Sequence, residues 1–333
     1  MTKTSKTQST KALPQDERYW KPKTSLWFWA TEASFIAGVL INLYIPDEVT
    51  INPHSYRILL GGAIVLLLVF YIVSKQNTAF ANKFYHRLEF IFAIGVFMAV
   101  WDILTTKTSF LPLPYFPGLA QIIGIMVEDR ALLLLSAGHS FLLFSLGMVL
   151  GTFFGLLSGI ATGWSRQWDY WLSPIIRVSG IIPAIVWLPI ALVLFPTSFT
   201  AGVFLIVIAS WFPVTSMTAS GIISTPKTYF EIAKTLGASK KFQLFRIAVP
   251  YAMPNIFIGI LTAVAFSFVT LIVSEMVGAK AGLGYYINWA KGWGAYDKMY
   301  AAIIIIAAEF SLILALVGAI RSYVLRWQRG ILK

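Results

Sequence analysis

Long apolar runs, separated by short polar segments, dominate the chain from residue 26 onwards. A helix that crosses a bilayer needs about 20 mainly apolar residues, and each run approaches or exceeds that length. We predict eight membrane-spanning helices, at about residues 26–45, 57–74, 88–105, 131–161, 174–195, 199–224, 253–277 and 300–324. The run at 131–161 is longer than a bilayer requires, so it is expected to tilt or project beyond the lipid. The fold class predicted is all-α, a polytopic membrane helical bundle embedded in a lipid bilayer.

Composition supports this prediction and excludes several kinds of chemistry. The 333 residues are 58% hydrophobic and only 12% charged, whereas soluble domains carry about a quarter charged residues. The chain has no cysteine and three histidines, which rules out disulfides and cysteine-based metal sites and argues against a histidine-based one. The net charge of +12 would suggest nucleic acid in a soluble protein, but membrane orientation explains it better, and no nucleic-acid partner is expected.

The distribution of lysine and arginine predicts the orientation. If the N-terminus is inside and eight spans alternate, 20 of the 26 basic residues fall on the inner side. The six on the outer side are Arg57, Lys107, Arg130, Lys280, Lys291 and Lys298. This bias places both termini in the cytoplasm. Residues 1–25 are polar and read as a cytoplasmic tail without a signal peptide, and residues 326–333 as a second cytoplasmic tail.

Glycines recur every four residues in GMVLGTFFGLLSGIATG, at Gly147, Gly151, Gly155, Gly159 and Gly163. Small residues at this spacing line one face of a helix and let the backbone of a second helix approach closely. Packing within the bundle is the favoured interpretation, ahead of any role in ligand binding.

A polar stretch between two apolar runs, TYFEIAKTLGASKKFQLFRIAVP at 228–250, predicts two short helices around a turn. Thr228 and Glu231 fit a capping box, and Gly237 fits the left-handed position after a helix. Ser239 can cap the second helix, which we expect to stop near Pro250 and Pro254. The first helix is too short to be stable in water without neighbours. A basic inner loop would explain the lysines. It would not explain the paired caps, the central Gly237 or the small residues Ala233 and Ala238 that we expect to be exposed at the tip, so we favour a docking element.

EIAKTLGASKKFQLFRIAVP resembles the EAA signature of ABC importer permeases: Glu-Ala-Ala, three residues, Gly, nine residues, Ile, any residue, Leu-Pro. Glu231, Ala233, Gly237, Ile247 and Pro250 stand at the matching positions. The chain departs at Ile232, where the signature has Ala, and at Val249, where it has Leu. Both exchanges keep an apolar side chain.

The resemblance extends over about residues 88–330. LSPIIRVSGIIPAIVWLPIALVLF, SEMVGAKAGLGYYI and FLPLPYFPGLAQIIGIMVED are similar to segments of the nitrate, sulfonate, taurine and bicarbonate class of these permeases. LFPTSFTAG departs, because relatives usually carry a Gly-rich turn there. The resemblance implies a type I core of six spans at 88–325, with the EAA loop at 225–250. Two additional N-terminal transmembrane helices, at 26–87, would lie outside that core.

The resemblance also implies partners: cytoplasmic ABC ATPase subunits, a second permease copy that forms a homodimer with this chain, and an extracytoplasmic solute-binding protein. ATP and Mg would be used by the partner ATPase, and no cofactor would be bound by this chain. The residues expected to couple to the ATPase are Glu231, Ile232, Ala233, Gly237 and Ala238. The location implied is the bacterial inner membrane.

The translocation pathway would lie between the two permease copies. Its candidate residues are Ser267, Thr270, Ser274 and Glu275. The three hydroxyl residues share a helix face, where they can line a water-filled path or hydrogen-bond to their own helix. For Glu275, a structural hydrogen bond is the favoured role. Pro183 and Pro189 are expected to kink the preceding helix. Glu309, deep in the last span, is equally compatible with a functional and a structural role.

The resemblance predicts an importer of a small anion such as a sulfonate, taurine, nitrate or bicarbonate. A thiamine-pyrimidine precursor or another small organic solute is the alternative, since no basic cluster on the pathway face selects an anion. A secondary transporter is less favoured because no internal repeat is visible. An intramembrane enzyme is also less favoured because catalytic motifs such as HExxH and GxSxG are missing.

Overall fold

The computed structural model describes residues 24–47, 54–76 and 78–327. Every regular element in these ranges is a helix. Backbone contacts divide the chain into two compact units, Met1–Gly124 and Ile125–Lys333. The predicted tails at 1–25 and 326–333 lie almost entirely outside the described residues.

The first unit is built on three long helices. These are α1 (Thr24–Tyr44), α2 (His54–Gln76) and α3 (Thr78–Asp102), followed by a π-helical turn (Ile103–Lys107) and the start of α4 (Leu119–Glu128). Phe28, Tyr56, Leu60 and Leu88 are almost fully buried between these helices, and the ring of Phe28 stacks on Tyr71 at 4.1 Å between centroids. The unit therefore has an apolar core of its own.

Buried polar groups gather where α1 and α3 end. The Lys107 ammonium donates to the Ile45 carbonyl and to Asp47, each at 2.6 Å. Asn42 donates to Asp102 at 3.3 Å and accepts from Arg57 at 2.7 Å. Asp102 is only 1% exposed, and the hydrogen bond from the Asn42 amide compensates part of the cost of burying its carboxyl.

The second unit begins with α5 (Arg130–Trp164), α6 (Arg166–Ile181), a 3₁₀ turn (Ala184–Trp187), α7 (Leu188–Leu194) and α8 (Ser198–Ile223). It continues with α9 (Lys227–Thr235), α10 (Lys240–Gln243), a π-helical turn (Leu244–Ala248), α11 (Val249–Gly278), α12 (Leu283–Gly292) and α13 (Tyr296–Val324). Its main core lies between α5, α8, α11 and α13, around Leu143, Ile206, Val264 and Leu271.

The glycine stripe of α5 packs against α8, as predicted. Each glycine faces a residue of α8, and those residues also recur every four positions: Ile206, Ser210, Val214, Thr218 and Ile222. A Cβ at Gly159 would lie 2.6 Å from the Thr218 Cβ and 2.7 Å from the Thr215 carbonyl oxygen. The two backbones are thus too close for any side chain larger than hydrogen to fit without movement.

Seven helices within the described ranges are long and apolar enough to cross a membrane. The predicted span at 174–195 differs, because it consists of Arg166–Ile181 and Ala184–Leu194 bent by 93°. Pro183 stands at this bend, which confirms the predicted kink. Pro189 instead occupies the first turn of α7, where proline's missing N–H is harmless. The total of eight spans stays a prediction.

The predicted domain limits differ from this division. A boundary between 87 and 88 would fall inside α3, a continuous helix that packs with α1. The assignment of 26–87 as an addition to a permease domain at 88–325 therefore stays a prediction.

Candidate functional site

The EAA loop, residues 225–250, begins with α9. The N-cap is Pro226, and no side chain caps the helix there. The predicted capping box of Thr228 and Glu231 is therefore wrong. The helix starts at Lys227, one residue before Thr228, because proline presets a backbone angle that is compatible with helix entry.

The turn after α9 confirms the role predicted for Gly237. Its φ is +76°, a left-handed conformation that glycine adopts without steric cost. The Gly237 N–H donates to the Lys234 carbonyl and the Ala238 N–H to the Ala233 carbonyl, each at 2.9 Å. These two hydrogen bonds form a Schellman motif, which satisfies the last carbonyls of α9.

Ser239 caps α10 as predicted: its hydroxyl oxygen accepts from the Phe242 N–H at 3.3 Å. The expected stop near Pro250 is wrong. A π-helical turn, closed by the Val249 N–H on the Leu244 carbonyl, joins α10 to α11. Pro250 then falls in the first turn of α11, so helical structure continues from Lys240 to Gly278.

The inner face of the loop is anchored to the helices beneath it. The Phe230 ring meets the Trp164 ring edge-on at 5.7 Å, and both lie against buried Ile222, Ala248, Ala252 and Ile256. Ala233 was expected to be exposed but is buried, although it is one of the residues that line the groove between α9 and α10. The Gln243 amide, which sequence patterns did not single out, is buried and donates to the Ala238 carbonyl at 3.0 Å.

The outer face of the loop is apolar and open. A groove of about 720 Å³ lies between α9 and α10, lined by residues that include Tyr229, Ile232, Leu236 and Phe242. Leu236 is 80% exposed. The Glu231 side chain is also exposed, and within the described residues its carboxylate has no hydrogen-bond or ion-pair partner. The groove thus offers apolar contact area beside one unpaired carboxylate.

The four predicted pathway residues lie along the second half of α11, and all four are buried. The hydroxyls of Thr270 and Ser274 donate to carbonyls of their own helix, at 2.9 and 2.8 Å. The Ser267 hydroxyl is buried without a partner in the described structure. Thr270 also lines a cavity of about 280 Å³. A pathway role for these residues stays a prediction.

Glu275 makes the structural hydrogen bonds expected of it. Both of its carboxylate oxygens accept from the Ser140 hydroxyl, at 2.8 and 2.9 Å, and Oε2 also accepts from the Gly284 N–H at 2.9 Å. Gly282, with φ of +111°, brings the backbone against the carboxylate. The side chain therefore fastens the loop after α11 to α5.

Two other titratable groups lie in this part of the unit. His139 is partly exposed and places Nδ1 3.8 Å from Glu275 Oε1, so this nitrogen faces the protein interior. Glu309 on α13 has both carboxyl oxygens buried, and neither has a hydrogen-bond partner in the part of the chain described. Within the same ranges, no cluster of three or more His, Asp or Glu residues could hold a metal ion.

Two cavities flank the bend between α6 and α7. The cavity of about 280 Å³ is mainly apolar in its lining, with Ile182, Pro183 and Phe266 among its residues. A larger cavity of about 820 Å³ lies between α6 and α8 and is lined by several hydroxyl groups. Gly180 and Phe212 line both cavities, so they form the wall between them.

The fold is shared with a solved transporter structure. The structure is similar to that of the MetNI methionine ABC transporter in an inward-facing conformation, with a TM-score of 0.52 and 18% sequence identity. The similarity covers 59% of this chain and 98% of that one. The chain therefore has the helical fold of an ABC transporter membrane subunit.

The family follows from the sequence. The profile of the family "Binding-protein-dependent transport system inner membrane component" matches residues 151–330, and the chain belongs to this family. It is 27% identical to the putative aliphatic sulfonates transport permease protein SsuC of Bacillus subtilis (strain 168), over 75% of this chain and 91% of that protein. It is 32% identical to the bicarbonate transport system permease protein CmpB of Synechococcus elongatus, over 56% of this chain and 65% of that protein.

The chain is thus a multi-pass inner-membrane permease subunit of an ABC importer, of the nitrate, sulfonate and bicarbonate class. Its membership points to a transport component rather than an enzyme. The resemblance expected from the EAA signature and its flanking segments is confirmed.

Proposed function

We propose that this chain forms, with a second permease copy, the pathway of an ATP-driven importer for a small anion, and that a separate ATPase docks on its EAA loop. The observation that carries the proposal is the exposed apolar groove on a loop whose other face is anchored to the core. Exposed apolar surfaces of this kind mark protein interaction sites.

The loop is suited to transmitting force. Nine residues of α9 could not stay helical alone, but the Schellman motif, the Ser239 cap and the Phe230–Trp164 contact hold them in place. The helical segment Lys240–Gly278 then leads directly from the loop into the apolar core. Movement of a docked ATPase would pass along this segment without a flexible joint.

The partners proposed follow from this arrangement. Glu231, Ile232, Ala233, Gly237 and Ala238 are the proposed coupling residues, and all of them except Glu231 line the groove between α9 and α10. ATP and Mg would be held by the ATPase and not by this chain. An extracytoplasmic binding protein would deliver the solute to the opposite side.

The proposed topology places both termini and the EAA loop in the cytoplasm of a bacterial cell. Its support is the excess of lysine and arginine on the corresponding segments. The two N-terminal helices at 26–87 would add to a core of six spans.

The proposed substrate is a sulfonate, taurine, nitrate or bicarbonate-type anion, supported by the relatives that carry sulfonate and bicarbonate in their names. A thiamine-pyrimidine precursor, or another small organic solute, is the less favoured alternative. Measuring which of these ligands the partner binding protein retains distinguishes the two.

Gly237→Asp tests the coupling role. The substitution places a side chain at φ +76°, where non-glycine residues are strained, and adds a second carboxylate beside the groove. We expect loss of ATPase copurification and of solute uptake, with normal amounts of the permease in the membrane. Both are measured in cells that express the whole transporter.

Gly294→Asp is the matched control. Gly294 also has a positive φ, +69°, and also has open space where a Cβ would stand, but it lies after α12, away from the EAA loop. This variant should keep the ATPase and transport. Normal uptake by the Gly237→Asp variant would exclude the coupling role.

A further inference from the structure

The larger cavity of the second unit has a polar wall. It is about 820 Å³ in volume and lies between α6 and α8, with Thr162 of α5 at its edge. Its lining includes Arg177, Asp169 and Ser173 from α6, and a series of hydroxyl residues from α8. Polar groups in a membrane protein are usually satisfied by one another or by a solute, so polar groups of this lining that have no protein partner are candidates for contact with a solute.

Arg177 is the only basic residue among those that line this cavity. In the described part of the chain its guanidinium makes no hydrogen bond and no ion pair. A guanidinium keeps its charge at any physiological pH and presents N–H donors in a planar fork. That fork matches two oxygens of an oxyanion.

Two hydroxyl groups that line the same cavity also lack a hydrogen-bond partner among the described residues. Ser216 and Ser220 lie one turn apart on α8 and both line the cavity, and neither makes a hydrogen bond within the described residues. The other hydroxyls are engaged: Thr162 donates to Ser158 at 2.8 Å, and Ser224 donates to Gly221 at 2.8 Å. The cavity therefore holds one free cation and two free hydroxyl donors.

The single lining carboxylate stands away from Arg177. Asp169 precedes it by eight residues on α6, which is about 12 Å along a helix axis. Its carboxylate accepts the Ser173 hydroxyl at 2.5 Å. The end of the cavity near Arg177 is thus positive, and it is also the end nearest Gly180, where the smaller cavity begins.

We propose that Arg177, Ser216 and Ser220 form a binding site for the oxyanion group of the transported solute, such as a sulfonate, nitrate or bicarbonate. This inference rests on the proposed function and deepens it, because it assigns the anion preference to named residues. The site lies where a solute passing the Gly180–Phe212 wall would enter the larger cavity. Arg177 supplies charge and the two serines supply hydrogen bonds.

Binding to the purified permease in nanodiscs, measured by calorimetry, tests the site with ethanesulfonate, nitrate and bicarbonate as probes. We expect the wild type to bind at least one of them and Arg177→Gln to bind it about tenfold more weakly or worse. Arg177→Lys should retain part of the affinity, because lysine keeps the positive charge but lacks the planar pair of N–H donors of the guanidinium. The double variant Ser216→Ala/Ser220→Ala should lose less than Arg177→Gln.

Arg166→Gln is the matched control: Arg166 and Arg177 are both exposed arginines of α6, but Arg166 does not line the cavity, so this variant should bind as the wild type does. Unchanged binding by Arg177→Gln, or no binding of any probe by the wild type, overturns the site. Size-exclusion profiles of every variant establish that it is folded.

ATP-driven uptake by the complete transporter separates the two proposals. If the wild type takes up one of the anions and Arg177→Gln does so with unchanged KM and kcat, the site is wrong and the proposed function stands. If the complete transporter shows no ATP-driven uptake of any of them, the proposed function for an anion fails.

Discussion

At the residue scale, Asp129 shows how one carboxylate can tie distant elements together. Its Oδ2 accepts from the Tyr286 hydroxyl at 2.7 Å and from the Lys298 ammonium at 2.6 Å. Asp129 directly precedes α5, Tyr286 belongs to α12 and Lys298 to α13. Burial by itself would raise the pKa of Asp129, but the hydrogen bonds and the positive charge of Lys298 outweigh it and lower that pKa.

This arrangement predicts a pH dependence of stability. The folded pKa of Asp129 lies below its unfolded value of about 3.9. The ionised carboxylate therefore stabilises the folded state fully above about pH 3.9, and this stabilisation is lost as the pH falls through the folded pKa. Asp129→Asn should reduce the free energy of unfolding by about 1 kcal/mol at neutral pH, since the pair is partly exposed. The difference from the wild type should shrink in acid, which thermal melts of the purified protein between pH 3 and 7 measure.

Glu128→Gln is the control, since Glu128 is the neighbouring carboxylate, is exposed and makes no hydrogen bond among the described residues. Its melting curves should follow those of the wild type at each pH. An Asp129→Asn variant with wild-type stability at neutral pH would show that the Tyr286 and Lys298 contacts do not stabilise the fold.

At the element scale, the glycine stripe of α5 determines how closely α8 can approach. Gly159→Ala would place a Cβ 2.7 Å from the Thr215 carbonyl oxygen, and overpacking of this kind costs about 1–3 kcal/mol. The better helix propensity of alanine offsets only about 1 kcal/mol of this destabilisation. We expect a lower melting temperature for the purified permease in detergent.

Gly138→Ala provides the comparison on the same helix. A Cβ at Gly138 would have no atom within 4 Å, so this variant should melt at or above the wild-type temperature. Equal melting temperatures for the two variants would mean that α5 and α8 can separate at no cost, contrary to the packing described.

Local signals predicted some elements well and others poorly. The glycine stripe, the turn at Gly237 and the cap at Ser239 depend on residues close in sequence, so the local residue pattern was enough to predict them. The capping box failed because Pro226 fixes the helix start one residue before Thr228. The expected stop at Pro250 failed because the π-helical turn shifts that proline to a position where its missing N–H is tolerated.

Contacts between distant segments could not be predicted in this way. Ser140 and Glu275 are 135 residues apart, and only the packing of α5 on α11 brings them together. Arg177 was counted only as an inward-lying charge, although the structure directs it to the same cavity as Ser216. A single sequence carries no signal for such pairs.

At the scale of the whole molecule, the bent segment decides the topology. Residues 166–194 turn by 93° near Pro183, so they either cross the membrane as a broken span or return to the side from which they entered. Counted as a span, this segment gives six crossings between the N-terminal tail and the EAA loop. Counted as a re-entrant loop, it gives five, which would place the tail and the loop on opposite sides.

Cysteine labelling separates these two topologies, and the chain has no native cysteine to remove. Ser5→Cys, Lys241→Cys and Lys291→Cys are each treated with a membrane-impermeant maleimide, in intact spheroplasts and in inside-out vesicles. We expect the Ser5 and Lys241 positions to react only in inside-out vesicles, because the lysine and arginine bias places both in the cytoplasm. The Lys291 position, beyond α11, should react only in spheroplasts and serves as the control for sidedness. Labelling of the Ser5 and Lys241 positions from opposite sides would show an odd number of crossings between them, and the bent segment would then be re-entrant.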